Sequence, residues 1–152
     1  MTARRRIEER RRGPNLARFL RPSCTLGAQG LRFRAMQSFN SRSNNFRKPR
    51  REGRLVTVGR IEDVPDGRGA TVELAGGAEL ALYNVGGEFY AIENFCPHKG
   101  APLADGRLCG HTVECGWHGW RFDVRTGQCL TNRGDVESYK VVIEEGWIKI
   151  EV

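Results

Sequence analysis

The sequence predicts an all-β domain over residues 54–152, set behind a basic and disordered extension at residues 1–53. Three observations lead there. Short runs of β-branched and aromatic residues recur between turns in the last two thirds of the chain, as in an all-β sandwich or small barrel. No long segment in that part repeats its apolar residues at helical spacing. Charge is divided sharply: residues 1–54 hold sixteen Lys and Arg against three Asp and Glu, while residues 55–152 hold nine against fifteen. The net charge of +7 therefore describes the extension and hides an acidic domain.

The extension carries Arg4-Arg5-Arg6, Arg10-Arg11-Arg12 and Lys48-Pro49-Arg50-Arg51, with scattered apolar residues. No run approaches a membrane span, and the apolar stretch of a secretory signal is lacking. It reads as a disordered segment without a role, or as sequence upstream of a true start at Met36. A nucleic-acid or anionic-surface patch is an alternative. So is an Arg-rich transit segment, against which Glu8 and Glu9 count. A short helix over residues 7–20 would be interrupted by Gly13-Pro14.

In the domain, β-prone runs fall at residues 55–58, 70–74 and 79–85, the last two flanking Ala75-Gly76-Gly77. Gly86-Gly87 links the third run to residues 89–92 as a hairpin. Residues 121–124, 139–143 and 147–152 complete the set, with Glu145-Gly146 turning the last pair.

Between these runs lies the chemistry. Cys96-Pro97-His98 and Cys115-Gly116-Trp117-His118 each offer one thiolate and one imidazole, with sixteen residues between the pairs. That mix suits an iron–sulfur centre in which two Cys hold one iron and two His the other. Tetrahedral zinc is the competing reading, although zinc fingers usually keep Cys with Cys and His with His.

The run from Glu93 to Gly127, ENFCPHKGAPLADGRLCGHTVECGWHGWRFDVRTG, resembles the cluster-binding region of Rieske-type [2Fe–2S] proteins. Its His118 to Gly127 stretch is similar to the ferredoxins of bacterial ring-hydroxylating dioxygenases. The resemblance implies an antiparallel β-sandwich with a small cluster-binding subdomain, its loops at about residues 94–122. It implies one [2Fe–2S] cluster, with Cys96 and Cys115 on the inner iron and His98 and His118 on the outer, redox-active iron. The implied function is one-electron transfer from a flavin-containing NAD(P)H reductase to a terminal non-haem iron oxygenase. The carrier itself is then not an enzyme. The small subunit of an assimilatory NAD(P)H nitrite reductase, docking on its large subunit, is the second reading. The third is a zinc-stabilised binding module whose basic tail contacts nucleic acid. Under the first two, neither membrane nor nucleic acid is an expected partner.

Charge counting explains the imidazoles. Two ferric ions, two sulfides and two thiolates sum to zero when both His are neutral, whereas four thiolates would leave a dianion. An electron enters the neutral centre at less Coulomb cost, so Rieske centres lie at about −150 to +300 mV against about −400 mV for plant-type ferredoxins. High-potential members of the family carry an extra loop disulfide, and tend to place a Ser hydroxyl after the second His-Gly. Here Ala101 and Trp117 stand at the disulfide positions and Trp120 at the Ser position. Fewer donors then stabilise the reduced cluster, and the expected potential lies at the low end of the window. A redox titration giving more than about +150 mV would contradict this.

Gly100, Gly106, Gly110, Gly116 and Gly119 are expected to shape the loops, either as turn residues or by letting backbone N–H groups approach the sulfides. Gly116 departs from the Pro common at its position. Trp120 reads as a loop-packing aromatic and Trp117 as a candidate for the partner-facing surface. His111 alone cannot build the two-His-one-carboxylate iron site of an oxygenase, and no G-x-G-x-x-G follows a strand to bind a nicotinamide. Cys24, Cys109 and Cys129 are expected as free thiols in a reducing cytoplasm, with a Cys109–Cys129 bridge as the alternative. The acidic balance of the domain would favour basic partner sites.

Overall fold

The computed structural model describes residues 32–34 and 53–152; the readings made for Cys24, for residues 7–20 and for most of the extension lie outside the described residues. In chain order the strands are β1 (Arg32–Arg34), β2 (Leu55–Arg60), β3 (Arg68–Glu73), β4 (Glu79–Val85), β5 (Glu88–Glu93), β6 (Arg107–Cys109), β7 (Thr112–Glu114), β8 (Arg121–Asp123), β9 (Ser138–Tyr139), β10 (Val141–Glu144) and β11 (Trp147–Glu151). A single 3-10 turn, Ile61–Asp63, follows β2. Three sheets result, in the orders β1-β3-β4-β5-β9, β10-β11-β2 and β6-β7-β8. Every pairing is antiparallel except that of β1 with β3.

The run Leu80-Ala81-Leu82-Tyr83-Asn84 is buried at every position. Its two faces meet different partners. Leu80 and Leu82 join Val56, Val58, Val72, Ile148 and Ile150 in the core between the five-stranded sheet and β10-β11-β2. Ala81 and Tyr83 join Leu103, Leu108, Val113 and Phe122 in a second core, beneath β6-β7-β8. A strand covered on both faces shows no polar alternation. The central sheet is therefore the middle layer, and the small sheet that carries the loops is fixed to its outer face. The fully buried Tyr83 joins the layers by donating to the Leu103 carbonyl at 2.7 Å. Burial, with smaller effects from Asp105 and Cys115, holds its phenol well above the usual range, so it stays a donor.

Several elements differ from expectation. The run at 139–143 is two strands: β9 pairs with β5 and β10 with β11, so the chain changes sheets at Lys140. The hairpin β6–β7 around Gly110-His111 was not anticipated; each strand has only three residues and one buried apolar side chain, Leu108 or Val113. Within the extension, Arg32–Arg34 is a strand and not disordered sequence. It pairs with the edge of β3, Phe33 packs on the first core, and Arg32 meets Glu73 at 3.6 Å. A three-residue Arg-Phe-Arg segment carries almost no periodic signal, and the free edge of β3 supplies its partner groups. Among the described residues no helix is long and apolar enough to cross a membrane.

At the end of β8, Arg125 grips Asp123 through two nitrogens, Nη2 to Oδ2 at 2.6 Å and Nε to Oδ1 at 3.0 Å. The guanidinium holds this carboxyl below the usual carboxylate range. A depressed folded-state pKa contributes stability above the unfolded value of about 3.9, and loses it as pH falls through the folded value. Arg125 is half exposed, so solvent screening limits the effect to about 0.5–1 kcal/mol. Urea unfolding should show Arg125→Ala less stable than the parent by that margin at pH 7, with the gap closing below about pH 4. A gap that persists at about pH 2 would contradict the ion-pair origin.

Candidate metal centre

Two loops share a similar backbone design, one between β5 and β6 and the other joining β7 to β8. In the first, Gly100 N–H donates to the Cys96 carbonyl at 2.7 Å and Cys96 N–H to the Ala101 carbonyl at 2.9 Å. In the second, Gly119 N–H donates to the Cys115 carbonyl at 3.0 Å and Cys115 N–H to the Trp120 carbonyl at 2.7 Å. Each loop thus folds over its Cys and closes four and five residues on. Closure uses the left-handed backbone at Gly100 (φ 71°) and Gly119 (φ 70°), which a side chain at either position would strain. Gly116 lacks positive φ and has open space around it, and Gly106 also lacks positive φ.

The loops bring the four expected ligands into two pairs. Cys96 and Cys115 are each 2 % exposed, at the base of the site. Burial pushes the Cys96 thiol up, and the neighbouring Cys115 adds to the rise against the lowering influence of the His98 and Lys99 backbone. A metal ligand must be the thiolate, so binding here would release the thiol proton. His98 and His118 are exposed at the rim, their rings edge to face with centroids 4.4 Å apart. His118 is exposed yet held below its ordinary value, by partial desolvation first and then by the neighbouring His98 and Lys99, which favours the neutral, metal-binding form. No group of three or more His, Cys, Asp or Glu among the described residues is arranged around a single ion. Two ligands below and two above are what a two-iron centre asks of the protein, so the donor set fits such a cluster.

Trp120 does more than pack the loop. Its ring lies 5.0 Å from that of His98 at 10°, a stack that restrains the imidazole, and it leans on the buried Phe122. Trp117 is 62 % exposed beside His118. His111 is part of the β6–β7 turn, with its Nε2 3.5 Å from the Tyr90 hydroxyl and its ring edge-on to Tyr90, away from the four ligands. Among the described cysteines Cys129 is a free thiol, so it forms no bridge to Cys109. Cys109 is disulfide-bonded, contrary to the expected free thiol.

Sequence reasoning passed over one residue that positions the site. Asn94 is fully buried just before the first loop. Its Nδ2 donates to Glu79 Oε2 at 2.9 Å, its Oδ1 accepts from Ala104 N–H at 2.9 Å, and its carbonyl accepts from Leu103 N–H at 2.6 Å. It ties the two ends of the first loop to β4. No local signal in the sequence marks it, since Glu93 and Asn94 both stand between β-prone Ile92 and the first Cys.

Residues 54–140 match the family model of the Rieske [2Fe-2S] domain. The chain is 41 % identical over 101 residues to the ferredoxin component of the p-cumate 2,3-dioxygenase system of Pseudomonas putida, covering 64 % of this chain and 86 % of that one. Among solved structures it is similar to a chain in the complex of reduced oxygenase and oxidized ferredoxin of carbazole 1,9a-dioxygenase, with TM-score 0.61, 33 % identity and coverage of 64 % and 92 %. It is also similar to a chain described as the NADH-dependent nitrite reductase small subunit of Mycobacterium tuberculosis, with TM-score 0.60, 27 % identity and coverage of 63 % and 92 %. The two-Cys, two-His geometry and the match over more than half the chain agree: this protein belongs to the Rieske [2Fe-2S] domain family.

Proposed function

We propose that this chain is the ferredoxin component of a multicomponent ring-hydroxylating oxygenase. It takes single electrons from a flavin-containing NAD(P)H reductase and gives them to a terminal non-haem iron oxygenase. Residues 54–152 act as the carrier, and the chain is not itself the catalyst of the oxidation. The observation that carries the reading is the placement of two adjacent imidazoles at an exposed rim beside two buried thiols. Cys96 and Cys115 would hold one iron and His98 and His118 the other. The bound cluster supplies a site for one electron. The chain's own part is to keep that site at the surface: Gly100 and Gly119 close the loops, Asn94 anchors them, and Trp120 fixes the His98 ring.

Relatives named as dioxygenase ferredoxins support this reading. The likeness to a nitrite reductase small subunit supports a second one, with the large subunit of that enzyme as partner. One assay separates them. The p-cumate 2,3-dioxygenase oxygenase and reductase are combined without their own ferredoxin, and this chain is added. Restored, NADH-dependent p-cumate oxidation is the expected result. No restoration by cluster-loaded protein, with electron transfer instead to a nitrite reductase large subunit, would overturn the first reading in favour of the second.

A further inference from the structure

Cys109 is the one described cysteine that carries a disulfide; Cys96, Cys115 and Cys129 are free. The chain has five cysteines, so within one molecule only Cys24 is left to pair with it. The register of β1 favours that pairing. β1 runs parallel to β3, with Arg32 opposite Thr71 and Arg34 opposite Glu73, so it enters from the Gly69 end of β3. At that end Gly69 lies against the segment that leads into β6. A Cβ built on Gly69 would meet the Ala104 carbonyl at 2.6 Å, and β6 runs from Arg107 to Cys109. From Ala104 to Cys109 the chain spans at most about 18 Å, while the length from Cys24 to Arg32 reaches up to about 28 Å when extended.

β1 has little else to hold it. It has three residues, one half-buried side chain, Phe33, and an ion pair, Arg32 with Glu73 at 3.6 Å, whose partners are both exposed. Phe33 reaches across to β2, where a Cβ on Gly59 would stand 3.7 Å from its Cδ1. An exposed ion pair contributes little, and the pairing of a short edge strand frays readily. We propose that a Cys24–Cys109 disulfide fastens β1 to the domain and releases it on reduction, so that the strand is a redox-operated strap over the edge of β3. On oxidation the two sulfurs join, and their two protons and two electrons pass to glutathione disulfide, which leaves as two glutathione thiols. Excess reduced glutathione runs the exchange backwards. Disulfides in a reducing compartment are usually of this responsive kind. Once the bond opens, the row of N–H and C=O groups along β3 is uncovered to water or to another strand. The strap lies outside the matched family domain, which begins at residue 54, and it does not depend on the carrier reading.

The test uses the full, cluster-loaded chain equilibrated with either glutathione disulfide or excess reduced glutathione. Free thiols are blocked with N-ethylmaleimide during denaturation, and the chain is digested without reductant for mass spectrometry. A peptide pair joining Cys24 to Cys109 is expected in the oxidised sample and not in the reduced one. In native-state hydrogen exchange, the β3 amides that pair with β1 should exchange about tenfold faster after reduction, while those of β4, in the middle of the sheet, should not change. Cys24→Ser should show the fast exchange under both conditions, and Cys129→Ser should behave as the parent. Cys109 found as a free thiol in the oxidised sample, or joined to Cys129 or to a second chain, would overturn the pairing. A Cys24–Cys109 bond whose reduction leaves the β3 exchange unchanged would overturn the strap.

Discussion

Replacing either rim imidazole, His98→Ala or His118→Ala, removes the rhombic EPR signal of the reduced protein and most of its iron. The physical reason lies in the pairing. Cys96 and Cys115 are buried and would hold one iron, while the second would depend on the two imidazoles at the exposed rim, so that losing either would leave it short of a protein ligand. The fold should survive, because both loops are closed by backbone bonds that the His side chains do not make. Far-UV circular dichroism of the variants should match the parent while iron per chain falls at least severalfold. An unchanged EPR spectrum in either variant would remove that residue from the ligand set.

The second large effect is on stability. Asn94→Ala deletes a buried donor to the Glu79 carboxylate and a buried acceptor for Ala104 N–H. Ala104 is itself 1 % exposed, so water cannot replace the lost partner. A buried group left unpaired costs about 1–3 kcal/mol. The Ala104 N–H is such a group, and the half-buried Glu79 carboxylate adds less, so about 1–3 kcal/mol is lost, with a fall in Tm of roughly 5–15 °C for a domain of about 100 residues. Because Asn94 spans the first loop, the variant should also release iron faster than the parent. A Tm within about 2 °C of the parent would show that the loop is held by other means.

The contrast between these residues shows what the sequence could reveal. His98 and His118 stood out as candidates because their chemistry is rare and their spacing from two Cys is specific, and the structure brings their rings together. The strands 55–60, 79–85 and 147–151 were legible because β-branched and apolar residues are dense there and turns bound them. Asn94 was not, since nothing local distinguishes a buried Asn with three partners from a loop Asn; its partners Glu79 and Ala104 are 15 and 10 residues away. The hairpin β6–β7 was missed because three-residue strands barely establish a period, and β1 because its reason for existing is the edge of β3.

Two thiols and two imidazoles of this chain would hold a two-iron centre able to store one electron. The most direct measurement is EPR of the full chain after anaerobic reconstitution and dithionite reduction, with iron, acid-labile sulfide and zinc determined on the same sample. The expected result is red-brown protein with two irons and two sulfides per chain and a rhombic signal from one unpaired electron. Colourless protein holding zinc, or an iron–sulfur signal that persists unchanged when His98 and His118 are both replaced, would contradict it.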